Sequence, residues 1–273
     1  MPPVTRVLAH GEPIQIGTAD APLSFARPAA QRPVGEGPGP RRLRLDGKDA
    51  FDLSFWCGTC PLVFERLEGS NRTLSSQELQ ARLNSGLSTI ADDVLSAASI
   101  LVPEATYLPM LLAIRPKLVM PSGKSDYFAH EQIAHRGIDS FWGLPQHPKT
   151  PYYRAGSGKT TDHDFLFEFV VPMLPPTWND RDQVARYEQQ IRSGAKPTVL
   201  ALSILDRTQP FDSFDAHSGL IHFVLDGHHK LEAAARLGTE ITVLSLLSID
   251  DSLAQRDDVE RIPNLIQSRL KRL

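Results

Sequence analysis

The chain has 273 residues, with 29 Lys and Arg against 32 Asp and Glu, a formal charge of -3 with neutral histidines. Nucleic-acid binding through phosphates needs a marked cationic excess on one face, so this balance speaks against it. Hydrophobic residues make up 41% and charged residues 22%, which fits a globular protein and not a disordered one.

The longest nearly apolar run, residues 108–114, contains a proline and falls far short of a membrane span. The N-terminal MPPVTRVLAHGEP has no apolar core behind a basic start. No secretory signal is therefore expected, and a cytoplasmic location is. Residues 1–45 are rich in Pro, Gly and Arg, most densely over 27–42 (RPAAQRPVGEGPGPRR), and read as an extended arm with a short strand near 13–16.

LRLDGKDAFDLSF reads as a hairpin with Asp46-Gly47 at its turn and Phe51, Leu53 and Phe55 alternating after it. Cys57-Gly58-Thr59-Cys60 follows, and no other cysteine exists in the chain. A pair this close staples nothing, which leaves three readings. The thiols are half-buried in a tight turn, are redox-active, or hold half of a zinc site whose other ligands must be histidines. His130 and His135 have an acceptable separation on a predicted helix and are the candidates.

Ser75-Ser76-Gln77-Glu78 is a capping box that opens a helix over 77–83. A second helix is expected over 90–101, a proline-interrupted strand confined to edges or bulges over 107–120, and a third helix over 126–134. Residues 46–150 thus form an α+β unit. Residues 145–158 are turn and breaker types and mark a boundary.

Ala155-Gly156-Ser157-Gly158-Lys159-Thr160 imitates a phosphate-binding loop. The full pattern needs glycine where Tyr153 stands, a buried strand before and a helix after, so the segment is expected to be a flexible connection.

From 165 a regular series follows. Phe165, Phe167 and Phe169 share one face of a strand. Asn179 is expected to cap a helix that carries Asp180 and Asp182 in its first turn and ends at Gly194. Strands are expected over 198–205, 220–225 and 241–247, with a helix over 231–237 and another from Pro263.

The strongest signal lies between two of these elements, in Val224-Leu225-Asp226-Gly227-His228-His229-Lys230-Leu231-Glu232. An apolar strand enters a glycine turn that opens directly into an Ala-rich helix. Backbone N–H groups and the positive end of the helix dipole then meet at one point, which suits an anion. Gly227, His228, His229 and Lys230 are the candidate phosphate ligands, and Asp226 is the candidate Mg2+ ligand. The plain alternative is a strand-to-helix turn with polar residues facing water.

On the Asp-Gly-His-His-Lys turn, and on the segment from Tyr187 to Val199 as a helix–Gly–Pro–strand entry, residues 165–250 resemble the ParB/sulfiredoxin fold. The resemblance covers about a third of the chain. It implies a small mixed sheet with helices over 151–273 that binds a nucleotide, ATP or CTP, with Mg2+. His228 stands where sulfiredoxins carry their catalytic cysteine, so sulfinic-acid repair is not expected. His228, His229 and Lys230 replace the Glu-Arg-Arg of partition proteins, and only about 25 residues follow the last strand, so DNA partition is not expected either.

Free-serine kinases of this fold use a carboxylate base near the first helix, and Asp180 occupies that region. The expectation is an α+β nucleotide-binding protein performing phosphoryl transfer or nucleotide hydrolysis on a small molecule, with Asp226, His228 and Asp180 as catalytic candidates. The competing expectation is a non-catalytic nucleotide sensor or protein-interaction module, with a DNA-acting nuclease third.

Overall fold

The computed structural model describes residues 5–26, 41–53, 64–136, 149–161, 163–208 and 216–270. The protein is a mixed α+β protein whose described strands form two sheets.

The larger sheet draws on the whole chain. It begins with β1 (Thr5–His10) and β2 (Ile14–Ile16) and is completed by seven strands that come later in the chain. A four-stranded antiparallel sheet comes between, from β3 (Leu23–Ala26), β4 (Arg42–Leu45), β5 (Lys48–Asp52) and β6 (Glu65–Arg66). The β4–β5 hairpin turns at Asp46 and Gly47, both at positive φ (49° and 74°), as an Asp-Gly two-residue turn requires. Residues 5–26, expected as an arm, are instead strands wherever they pair. Proline density applies to 27–40, which lie outside the described residues.

Helix α1 (Gln77–Ser85) is capped by Ser76, whose Oγ accepts from Leu79 N–H at 3.2 Å. The helix begins at Gln77, where the motif places its opening. Helix α2 (Asp92–Ser99) follows, then β7 (Ala105–Ile114) and β8 (Lys117–Val119).

β7 corrects an expectation, because it lies inside the large sheet with Pro109 in its middle. It pairs with β1 and β2 on one side. On that side, β1 stops opposite Met110 and β2 begins opposite Tyr107. Pro109 falls in the gap between them, its carbonyl accepting from Gly11 N–H at 2.9 Å. The missing proline donor therefore interrupts no ladder bond.

The helix expected over 126–134 is a π-helical turn, Tyr127–Glu131, running into α3 (Gln132–Arg136). The residues that follow it up to 148 lie outside the described residues. β9 (Tyr152–Lys159) then occupies the second half of what was expected to be a breaker-rich boundary. β10 (Asp164–Pro172), α4 (Arg181–Arg192), β11 (Thr198–Thr208), β12 (Ala216–Asp226), α5 (His228–Leu237) and β13 (Ile241–Ser248) come next. Helices α6 (Arg256–Glu260) and α7 (Ile262–Leu270) close the described chain.

The large sheet runs β1-β7-β13-β11-β12-β10-β9-β8, with β2 beside β7. β10 and β12 are parallel, as are β11 and β13, while β11 and β12 are antiparallel.

Period-two alternation divides the core. Phe167, Phe169, Leu202, Ile204, Ile221, Phe223 and Leu225 face a cluster shared with Leu43, Phe51, Leu79 and Tyr127. Leu166, Val170, Ala201, Leu205, Leu220 and Val224 face the opposite cluster, shared with Leu231, Ala234, Ile262 and Ile266 of α5 and α7.

The glycines of β9 serve this second face. Arg269 of α7 forms a buried ion pair with Glu168 of β10. A Cβ on Gly156 would lie 2.8 Å from both Arg269 Cζ and Glu168 Oε1, and one on Gly158 would lie 3.0 Å from Arg269 Cδ. The guanidinium stem crosses β9 where side chains are missing. The sequence that imitates a phosphate loop is thus neither a loop nor a flexible connection. It is a strand made flat enough to seat an arginine.

Candidate functional site

The site expected at residues 226–230 forms where β12 passes into α5. Gly227 holds a left-handed φ of 98° at the helix N-cap position. A Cβ there would come within 3.1 Å of Val199 Cγ2 and 3.2 Å of Val199 Cα on β11. Both the bend and the close approach require glycine. No side chain caps α5 among the described residues, so its first-turn amides are offered without a side-chain acceptor.

The side chains of the turn are drawn inward. Lys230, 2% exposed, donates to Thr198 O at 3.1 Å and to Asp226 Oδ2 at 3.3 Å. It lies 6.0 Å from the Tyr187 ring centroid. Burial lowers the Lys230 pKa, opposed by the Asp226 carboxylate. A lysine expected to reach phosphate is thus the internal partner of Asp226. A divalent cation on Asp226 would have to share a buried carboxylate with an ammonium, so this donor set does not fit Mg2+.

The two histidines point to opposite ends of one strap, residues 174–180. Leu174 N–H donates to His228 Nε2 at 3.2 Å, and Asp180 N–H donates to His229 Nε2 at 3.1 Å. An accepting Nε2 carries no proton, so in each neutral ring the proton sits on Nδ1. Burial pushes the His228 pKa down to about 3, with Arg66 and His229 acting in the same direction. His228 Nδ1 is buried and has no hydrogen-bond partner among the described residues. His229 is half-buried, and its pKa is also lowered, mainly by burial.

Asp180 caps α4, accepting from Asp182 N–H at 2.8 Å and Gln183 N–H at 3.2 Å. These bonds hold its exposed carboxyl below the usual range, which makes it a weaker base than an ordinary aspartate. The cap was expected at Asn179. That side chain instead donates through Nδ2 to Glu232 Oε2 at 2.8 Å. Arg181 reaches the same carboxylate through Nη1 at 2.5 Å and Nη2 at 3.2 Å. Glu232, Asn179 and Arg181 thus clamp the strap to the second turn of α5.

Arg66 of β6 anchors the other end. Its guanidinium donates to the carbonyls of Pro172 and Met173 and, through Nη1, to Ser70 O at 3.1 Å and Ser70 Oγ at 2.9 Å. Neither Arg66 nor Glu232 was singled out in the sequence. Glu232 had a signal, an acid inside the apolar LEAAA run of α5, whereas Arg66 had none.

The structure therefore gathers Asp226, Gly227, His228, His229, Lys230 and Asp180 at one place. Cys57 and Cys60 lie outside the described residues, as does the His135 side chain, while His130 is exposed on the π-helical turn. Among the described residues no three His, Cys, Asp or Glu side chains are grouped to hold a metal ion, and no helix is long and apolar enough to cross a membrane. A cavity of about 300 Å³ opens at the far ends of α4 and α5, lined by Arg6, Ile191, Lys196, Thr239 and Glu240. Set against protein-family models, curated proteins and solved structures, the chain has no significant match.

Proposed function

We propose that residues 151–273 are a ParB/sulfiredoxin-like unit that binds a nucleotide by its phosphates at the start of α5, as a sensor and not as a kinase. The order β10, α4, β11, β12, α5, β13, with β11 and β13 parallel and the Asp226–Lys230 turn between β12 and α5, supports that likeness.

One observation carries the binding reading. An uncapped helix N-terminus coincides with two imidazoles whose Nε2 atoms already accept, leaving Nδ1–H donors beside it. Phosphate oxygens accept such donors.

The sensing role is preferred over turnover because of what the acids do. Asp226 is bound to Lys230, and Asp180 is committed to its helix cap. Neither is disposed as a general base or a Mg2+ ligand, so no catalytic step is assigned. On this reading, the strap that closes over the helix start is the element a bound nucleotide would move.

The test is calorimetric titration of the full chain with ATP, CTP and tripolyphosphate, with Mg2+ and again in EDTA. Binding that survives EDTA, releases no phosphate and weakens in His229→Ala supports the sensor. Steady phosphate release would replace it with the enzyme reading, and an absence of binding by all three probes would sink it.

A further inference from the structure

Half-buried Arg66 differs from three buried arginines in what compensates its charge. Arg41 is paired with Asp206, Arg154 with Glu131 and Arg269 with Glu168. Arg66 meets carbonyl oxygens, one serine hydroxyl and the Phe51 ring at 5.3 Å, with no carboxylate among the described residues. Its Nε is buried and unpartnered. Burial lowers its pKa to about 10, with no neighbouring carboxylate among the described residues to oppose it. Even a half-buried cation is usually matched by an anionic partner, because desolvating it alone is costly.

His228 touches the same stretch of chain. Arg66 donates to the Met173 carbonyl, and the next amide, Leu174 N–H, donates to His228 Nε2 at 3.2 Å. The other imidazole nitrogen, Nδ1, carries the proton and has no partner, with the residue 2% exposed. Among the described residues, a guanidinium without a counter-ion, an imidazole donor without an acceptor and the positive end of α5 thus occur together. Each lacks the same thing, an anion.

We propose that Arg66, with His228 Nδ1–H, is the cationic ligand for a phosphoryl group of the bound nucleotide, in the role that the sequence motif suggested for Lys230. The proposal rests on the nucleotide-binding reading and adds a residue from the small sheet to that site. Entry of the phosphoryl group parts the 174–180 strap from α5. The strap is held there by the two histidine–amide bonds and by the Glu232 clamp. Binding would therefore couple the β3–β6 sheet, through Arg66, to α5.

The probe is pyrophosphate, with ATP beside it, titrated into wild type, Arg66→Gln and Arg66→Lys. Loss of one charge-assisted contact is worth about tenfold or more in affinity. Arg66→Gln is expected to weaken pyrophosphate at least that much, and Arg66→Lys less. In ¹⁵N-labelled wild type, the His228 Nδ1 resonance is expected to move when pyrophosphate is added.

Unchanged affinity in Arg66→Gln, with wild type binding ATP normally, overturns the assignment and leaves the nucleotide-binding reading standing. If wild type binds neither ligand, the reading itself fails. Should Arg66→Gln not fold, the wild-type resonance decides, and a His228 signal that stays still at saturating pyrophosphate overturns the proposal.

Discussion

Two segments of this chain look like phosphate loops, and the fold uses their glycines for opposite purposes. In β9, Gly156 and Gly158 lie in a paired strand, and what matters is the missing side chain, since Arg269 crosses the vacated space to reach Glu168. At Gly227 what matters is the backbone, which turns through a left-handed φ of 98° to start a helix against β11. Glycine letters in a polar run do not say which use applies. The elements on either side do. A strand that continues through the glycines excludes a cradle, whereas a strand ending and a helix beginning at the glycine permits one.

The contrast can be broken at several points. Glu168→Leu would leave Arg269 buried without its partner and is expected to cost about 3–5 kcal/mol, measured by denaturant unfolding. A loss below about 1 kcal/mol would mean that the Arg269 side chain reaches water.

Acid comes next, because each region hides a neutral histidine. His222, near Glu168, has its pKa pushed down to about 4 by burial, and His228 to about 3. The unfolded value is about 6.5. Between these values the unfolded chain takes up protons that the folded chain refuses. Their contribution is therefore full above pH 6.5 and is lost as pH falls toward 4 and then 3, at about 1.4 kcal/mol per pH unit for each histidine. His222→Gln and His228→Asn should each reduce that slope, and an unchanged slope in both would disprove it.

Gly156→Val is expected to cost about 1–3 kcal/mol through crowding of the ion pair. Gly227→Ala should cost about 2 kcal/mol, combining left-handed strain with contact against Val199. Gly194 has φ 93° with open space around it, so Gly194→Ala should show the strain alone, about 1 kcal/mol. Equal losses at 227 and 194 would remove the close approach to β11 from the account of the turn.

Much of the architecture was legible where local signals agree. The Asp46-Gly47 hairpin, the alternation of Phe165, Phe167 and Phe169, and the strand–glycine–helix unit at 224–237 all have short-range causes. The misreadings have long-range ones. Pro109 sits inside a sheet because its partner strand changes at that point, which involves residues about a hundred positions away. Asn179 lost the helix cap to Asp180 because Glu232, on another helix, claims its amide. Lys230 was expected to face a ligand and instead turns inward to Asp226 and Thr198. Arg66, on a two-residue strand, carries no local pattern at all.

The position of β7 also has a consequence for how the chain is made. Its partners are residues 5–16 on one side and Ile241–Ser248 on the other. During synthesis β7 can pair at once with the strands that precede it. Its second edge stays open until some 130 further residues have emerged. An apolar strand with one open edge attracts foreign strands. The ribosome thus delivers the seam of the sheet late, and the protein's yield in cells should depend more on the speed of its last third than on its first.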